Sequence, residues 1–546
     1  MPDTLFRSAT VVDGTGDPRR TADVLVRGDR IERIAPAGSL AVAAADVAQE
    51  VPAEGLVLAP GFIDMHAHSD LAVLADPVHL AKVAQGVTTE VIGQDGIGYA
   101  PVDDAVLGGI RRQIAGWNGH ADLDVDWRDM AGYLDRLGRG TATNTAVLVP
   151  QGNLRLLTVG SGNRPATAAE IDRMRGILDD SLAAGAVGLS SGLTYVPGMY
   201  ADTAELTALC EVVAAHGGFY APHTRSYGRG ALDAYAEVIG IARETGCGLH
   251  LAHATLNFAP NAGAAPRFLD MIDAALAEGV DLTMDTYPYL PGATTLVALL
   301  PSWIAAGGLD ALRERLLSGE ERDALVQALD VDGCDGFHGE PADWTTIQVS
   351  GVGDPALSAL VGRTIAEIAA GTGEAPVDAM IRILLADDFA TGVLMHIGHE
   401  ENVQAIMRHP VHTGGSDGIL VGDRPHPRSW GTFPRYLARY VREQGVLTLE
   451  EAVRHLSATP ARRLRLADRG LIREGYAADL VLFDPDRIQD RATFAQPRQA
   501  AEGIAGVWVA GARALRDGVR TDSLTGTCLR AGGTTAAATA AREEHA

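Results

Sequence analysis

Leu58-Ala59-Pro60-Gly61-Phe62-Ile63-Asp64-Met65-His66-Ala67-His68 is the stretch that decides the fold. An apolar, β-prone run carrying a Pro-Gly step ends in two histidines one residue apart. Alternate side chains of an extended chain share a face, so His66 and His68 project together. That spacing suits two imidazoles on one divalent metal ion. A lone histidine is most often a packed or surface residue; a pair at the end of a buried strand reverses that expectation.

Outward from this stretch, short apolar runs alternate with longer helical ones, the pattern of a parallel α/β sheet. Strands are predicted near 57–63, 88–92, 145–149, 187–190, 219–221, 249–252, 281–284 and 412–415. Eight of them over this length predict a (β/α)8 TIM-like barrel, whose site lies at the C-terminal strand ends. Both ends of the chain read differently, as short strands with turn residues between them: Leu5–Val12 before Asp13-Gly14, Ala22–Val26, Tyr476–Phe483 and Gly506–Gly511. Neither set is large enough alone to bury a sheet face. The expected class is therefore α/β. A barrel over 59–459 carries a small β-sandwich domain built from both chain ends, 1–58 and 460–525. The interval 300–390 is too long for a crossover and is expected to be an inserted lid subdomain. The Thr/Ala/Gly-rich segment 526–546 is expected to be a flexible tail.

Bulk properties narrow the function. A 546-residue chain suits one large domain plus an accessory one. A formal net charge of −25 excludes a nucleic-acid partner, which needs a basic face. No apolar run approaches the roughly 20 residues that span a bilayer, and residues 1–12 lack the pattern of a secretory signal. The four cysteines, Cys210, Cys247, Cys334 and Cys528, are scattered without a C-x-x-C pair. This predicts a reduced, cytoplasmic protein with no all-thiolate metal site.

Further metal-binding residue types fall where the other strands should end: Asp95 after the second, His223 at the fifth, His253 at the sixth and Asp417 at the eighth. Each is weak alone, and Asp417 in Gly-Gly-Ser-Asp-Gly would ordinarily be a turn residue. Four histidines and two aspartates at strand ends of one barrel point to a metal site. His250 lies three residues before His253, so the two face opposite sides of their strand. Glu90 falls early in its strand, toward the closed end.

Longer motifs accompany these residues: Val11–Gly16, Pro60–His68, Gln85–Thr89, Gly188–Tyr195, Glu400–Val403, Met407–Pro410, Gly415–Gly418, Pro425–Arg428 and Gly431–Arg435. Together they resemble the amidohydrolase superfamily over nearly the whole chain. The last three stretches resemble its D-aminoacylase (N-acyl-D-amino-acid deacylase) family in particular. The resemblance implies one or two zinc ions, with His66, His68 and Asp417 at one metal position and His223 and His253 at the other. It favours His253 over His250. It gives Asp417 the role of general base, taking a proton from water activated by the metal and passing it to the leaving nitrogen. The implied partner is a small-molecule amide.

Two departures from the family pattern stand out. Family members commonly carry cysteine after the second strand, where this chain has Asp95, a harder ligand able to bridge two ions. The only lysine, Lys82, precedes that strand on a predicted helix, which argues against a carboxylated-lysine bridge. The family also has a lysine soon after the sixth-strand histidine, thought to hold the substrate carboxylate; Thr255 stands there. Arg225 is the first replacement considered, with Arg428 and Arg435 behind it. Tyr195 is expected to line the pocket or to donate to the tetrahedral oxyanion. Alternatives at this stage are an amidohydrolase of cyclic amides, imides or D-residue dipeptides, and a non-catalytic scaffold with this fold.

Overall fold

The computed structural model describes residues 3–40, 49–119 and 121–532. Eight strands pair in chain order: β1 (Phe62–Asp64), β2 (Val87–Ile92), β3 (Asn144–Pro150), β4 (Gly188–Gly192), β5 (Phe219–His223), β6 (Gly248–Leu251), β7 (Leu282–Thr286) and β8 (His412–Gly414). Neighbours run parallel. The ring closes just beyond β1 and β8, where Met65 N donates to Gly414 O at 3.1 Å and Asp417 N to His66 O at 2.8 Å. This is the expected barrel. Every residue of β2, β3 and β5 is buried, as a sheet covered on both faces requires.

Outer helices follow the strands and are capped by their own sequence. Ala168–Ala183 begins with a capping box between Thr167 and Glu170, and Thr203–Ala215 with Asp202 accepting from Glu205 N. Their inner faces, with Met174, Leu178, Leu206 and Leu209, join the main core around the barrel wall.

The apolar run 57–63 is not one strand. Val57–Pro60 pairs antiparallel with Leu480–Phe483 in a different sheet, and only Phe62–Asp64 enters the barrel. The switch falls at Gly61, where a Cβ would lie 2.2 Å from Thr88 Cγ2. An uninterrupted apolar pattern does not register such a change of sheet, because both halves are buried.

Both chain ends meet in one continuous sheet of nine strands. Thr4–Val11, Arg20–Arg27 and Arg30–Pro36 form its N-terminal side, with Gln49–Pro52 also on Thr4–Val11; Ile504–Val509, Ala512–Arg516 and Val519–Arg520 lie beyond Leu480–Phe483. One face buries Phe6, Val24, Leu482 and Trp508, and the other packs Val57, Val481 and Phe483 toward Phe433 and Tyr436.

Between β7 and β8 the chain builds a three-stranded antiparallel sheet from Gly292–Thr295, Ile347–Gly351 and Gly392–Met395. With helices Leu309–Ser318, Ile365–Thr372 and Pro376–Ala386 it has its own core, including Leu296, Ile347, Met380 and Ile383. The expected flexible tail is held over its first residues: Gly526 N donates to Thr141 O at 2.8 Å and Leu529 N to Thr145 O at 2.7 Å. Its backbone donors find acceptors just before and within β3, which composition alone does not announce. Residues 533–546 lie outside the described residues. Among the described residues no helix is long and apolar enough to cross a membrane.

Candidate metal centre

Six side chains from the C-terminal strand ends converge in two overlapping groups. His66, His68, Asp95 and Asp417 form one, Asp95, His223 and His253 the other; within each, the donor atoms lie within 4.8 Å of one another, and all six residues are buried. Asp95 belongs to both. Its Oδ1 is 3.6 Å from His66 Nε2 and 3.4 Å from His253 Nε2, and its Oδ2 is 3.5 Å from His68 Nε2 and 3.7 Å from His223 Nδ1. Asp417 Oδ1 lies 3.1 Å from His68 Nε2 and 3.7 Å from His66 Nε2.

Local backbone geometry aims these groups at a cost. Asp95, His253 and Asp417 all have left-handed φ, at 55°, 33° and 48°. Such conformations cost about 1–3 kcal/mol each for residues other than glycine and persist where the surroundings over-determine them. Glycine would relieve the strain and remove the ligand.

Outer contacts fix the ring nitrogens. Thr194 Oγ1 is 2.8 Å from His223 Nε2, leaving Nδ1 for the cluster, and Tyr227 Oη is 3.0 Å from His253 Nδ1, leaving Nε2. Asp285, at the exit of β7, accepts from His253 N at 3.0 Å and has its Oδ2 3.7 Å from His66 Nδ1. Such outer partners orient ligating imidazoles. Burial opposes a charge on Asp417, but Arg428 and then His66 outweigh it and hold the carboxyl below the usual carboxylate range. Arg428 is fully buried, with Nη2 2.9 Å from Asp417 Oδ2 and its guanidinium 4.4 Å over the Tyr287 ring. His338, from the β7–β8 segment, faces the same cavity; burial, then His223 and His253, push its imidazole down to about 3.

The donor set fits a divalent ion. His66 Nε2 and Asp95 Oδ1 are buried without a hydrogen-bond partner among the described residues, a costly state unless something else meets them. Mixed imidazole and carboxylate donors suit zinc.

The other sequence candidates divide. Tyr195 and Thr255 line the cavity beside the cluster. The Tyr195 hydroxyl is 3.2 Å from Thr294 Oγ1, and its ring lies against Trp117 and His223. Arg225 is not available as an anchor: its Nε donates to Glu237 at 2.8 Å and its Nη2 to Ala201 O. Arg435 is likewise held, by Pro288 O and Asp490. His250 is turned to Thr283 and Asp285, and Glu90 lies with His79 and Lys82. Lys82 Nζ is engaged by Asp64 at 2.5 Å and Ser416 Oγ at 3.0 Å rather than by the cluster. Sequence reasoning missed Asp285, Tyr227, Tyr287 and His338. Asp285 was within reach of the strand-exit rule, had β7 been extended past Met284; the others carry no local mark.

A closed parallel barrel with clustered histidines and aspartates that could hold a metal at its C-terminal mouth defines a class of hydrolases, and residues 49–514 match the amidohydrolase family. The chain belongs to that family, in its D-aminoacylase branch. It is 38% identical over 510 residues to the N-acyl-D-glutamate deacylase of Alcaligenes xylosoxydans xylosoxydans, covering 93% of each chain. To the D-aminoacylase of the same organism it is 36% identical, covering 93% of this chain and 94% of the relative. The crystal structure of N-acyl-D-glutamate deacylase from Bordetella bronchiseptica, complexed with zinc and a phosphonate mimic of the tetrahedral intermediate, superposes with a TM-score of 0.82 at 33% identity. That match covers 97% of this chain and 100% of that one.

Proposed function

We propose that the protein is a zinc-dependent hydrolase that cleaves the amide bond of N-acyl-D-amino acids, giving a D-amino acid and a carboxylic acid. The observation that carries this is the convergence of His66, His68, Asp95, His223, His253 and Asp417 on one buried point, in a chain similar to D-aminoacylases over nearly its whole length. His66, His68 and Asp417 would hold one ion, His223 and His253 the other, and Asp95 would bridge them. When bound, the metal supplies Lewis acidity toward water and the amide carbonyl.

The chain's own residues do the rest. Asp417 takes the proton from the attacking water and returns it to the leaving nitrogen. Thr194 and Tyr227 keep His223 and His253 in the ring orientations the site needs. Tyr195, on the cavity wall, would donate to the oxyanion. With Arg225 held by Glu237, the substrate carboxylate falls to Arg428, whose Nε and Nη1 have no hydrogen-bond partner among the described residues, with Tyr287 beside it. Thr255 occupies the wall without supplying a charge. Four unpaired cysteines support a reducing, cytoplasmic setting.

Zinc-loaded protein assayed on N-acetyl-D- and N-acetyl-L-amino acids, with and without chelator, tests the reading. Release of D-amino acid that chelator abolishes supports it; no release from any N-acyl-D-amino acid overturns it. Amidated N-acetyl-D-amino acids should be turned over far more slowly than the free acids. Equal turnover would remove Arg428 as a carboxylate anchor.

A further inference from the structure

The cavity directly on the metal-ligand cluster is small, about 70 Å3. Beside it lies a chamber of about 350 Å3, and the two share Trp117, Thr194, Tyr195 and Ala298. This larger volume is the size of a small-molecule site. Its wall is apolar, with Ile97, Ile114, Leu156, Val297 and Leu312 among the lining residues. Among the described residues the charged ones in the lining, Arg112 and Asp310, are bonded to each other at 3.0 Å. Among the described residues no basic group is left there to receive a carboxylate.

Its position relative to the carboxylate anchor follows from the topology. The chamber is walled by segments following β2, β3 and β4, namely helix Asp104–Gln113, Leu156 and Thr194–Met199, and by residues between Thr295 and Leu312 after β7. The anchor proposed above comes from segments that follow β7 and β8: Tyr287 directly after β7, and Arg428 at the start of the helix Arg428–Arg435 that follows β8. In a closed ring paired in chain order, β3 and β4 lie across from β7 and β8. An N-acyl amino acid carries its carboxylate and its side chain on the amine side of the scissile bond, and the acyl chain alone on the other. With the carboxylate at Arg428 and the amide at the metal cluster, the acyl chain runs past Trp117 and Tyr195 into the chamber.

The geometry points to an acyl subsite: the preferred substrates carry an extended, apolar, medium-chain fatty acyl group on the D-amino acid rather than acetyl. This rests on the deacylase reading above and adds the substrate class to it. Each methylene transferred from water into such a wall raises kcat/KM about fourfold, until the chain outgrows the volume.

The test uses full-length, zinc-loaded protein and two substrate series. One lengthens the acyl group on D-leucine from acetyl through butanoyl and hexanoyl to octanoyl; the other keeps acetyl and lengthens the D-side chain from alanine to norleucine. Val106→Trp and, on another part of the lining, Ala305→Trp fill the chamber away from the metal ligands. The expected result is a steep rise along the acyl series in the wild type, flattened in both variants while N-acetyl turnover is retained. N-acetyl turnover shows that each variant is folded. A flat or falling acyl series with N-acetyl-D-leucine still cleaved overturns the subsite and leaves the deacylase reading standing. So does a rise confined to the side-chain series. No turnover of any N-acyl-D-amino acid, acetyl included, overturns the deacylase reading and the subsite with it.

Discussion

Lys82 sits where a compact ammonium suits better than a planar guanidinium. Its Nζ, fully buried, meets Asp64 at 2.5 Å, Ser416 Oγ at 3.0 Å and Glu90 at 3.6 Å, which calls for a compact charge with donors in several directions. In a chain with 45 lysines and arginines together, this alone is lysine. Asp64 passes the constraint on, since its Oδ1 accepts from His66 N at 3.2 Å and Ser416 N at 2.8 Å. Lys82→Met leaves buried Asp64 without its ion-pair partner and should cost about 3–5 kcal/mol in urea unfolding. Lys82→Arg should also destabilise, and a wild-type midpoint for it would refute the steric account. Asp417→Asn should keep the fold and lower kcat on N-acetyl-D-amino acids by about 10²–10⁴-fold; an unchanged kcat would remove Asp417 as the base. At this scale the sequence marks residues that stand at strand exits, because the barrel rule assigns them a place. It does not mark partners supplied by folding. Arg225 looked free because Glu237, its ion-pair partner, lies on the helix Ala231–Thr245 that follows.

Elements carry the next layer of constraint. The short helix Leu80–Val83 and β2 are joined through Glu90, whose Oε1 is 2.9 Å from His79 Nε2. Burial opposes the charge on Glu90, but His79 and Lys82 outweigh it and lower its carboxyl from 4.5 to about 2. A lowered acid pKa stabilises the fold above the ordinary carboxylate value and ceases to do so as pH falls through the folded one. Glu90→Gln should therefore lose stability near neutral pH, with the gap to wild type closing as pH falls from about 4 toward about 2. Unfolding midpoints across that range check it, and a gap constant with pH would refute it. The barrel strands were legible because uninterrupted burial leaves long apolar runs. The division at Gly61 was not, since apolarity is equal on both sides and only a steric contact with Thr88 marks the change.

Over the whole molecule, barrel and terminal sheet are coupled through Val57–Pro60, which pairs with Leu480–Phe483 immediately before β1. Val481 is fully buried and opposite Ala59. Val481→Asp puts an unpaired charge there and should cost several kcal/mol, about 3 or more. Zinc content per chain should fall with it, because the same segment leads into His66 and His68. Full zinc occupancy in a variant whose sheet is disrupted would show the two parts to be independent. The general arrangement of barrel, terminal β structure and insertion could be drawn from strand spacing and loop length. The joining of both ends in one nine-stranded sheet could not, because such pairing joins segments hundreds of residues apart and leaves no local periodicity.

The ring closes between its first and last strands, and each brings part of the candidate metal centre. A nascent chain on the ribosome therefore carries His66 and His68 out of the exit tunnel long before Asp417 exists to join them. The strand that steadies their approach, Leu480–Phe483, emerges later still. Until Asp417 is made, His66 and His68 lack the partners that complete the cluster. The six-residue cluster is therefore complete only once the last barrel strand has been made and has docked.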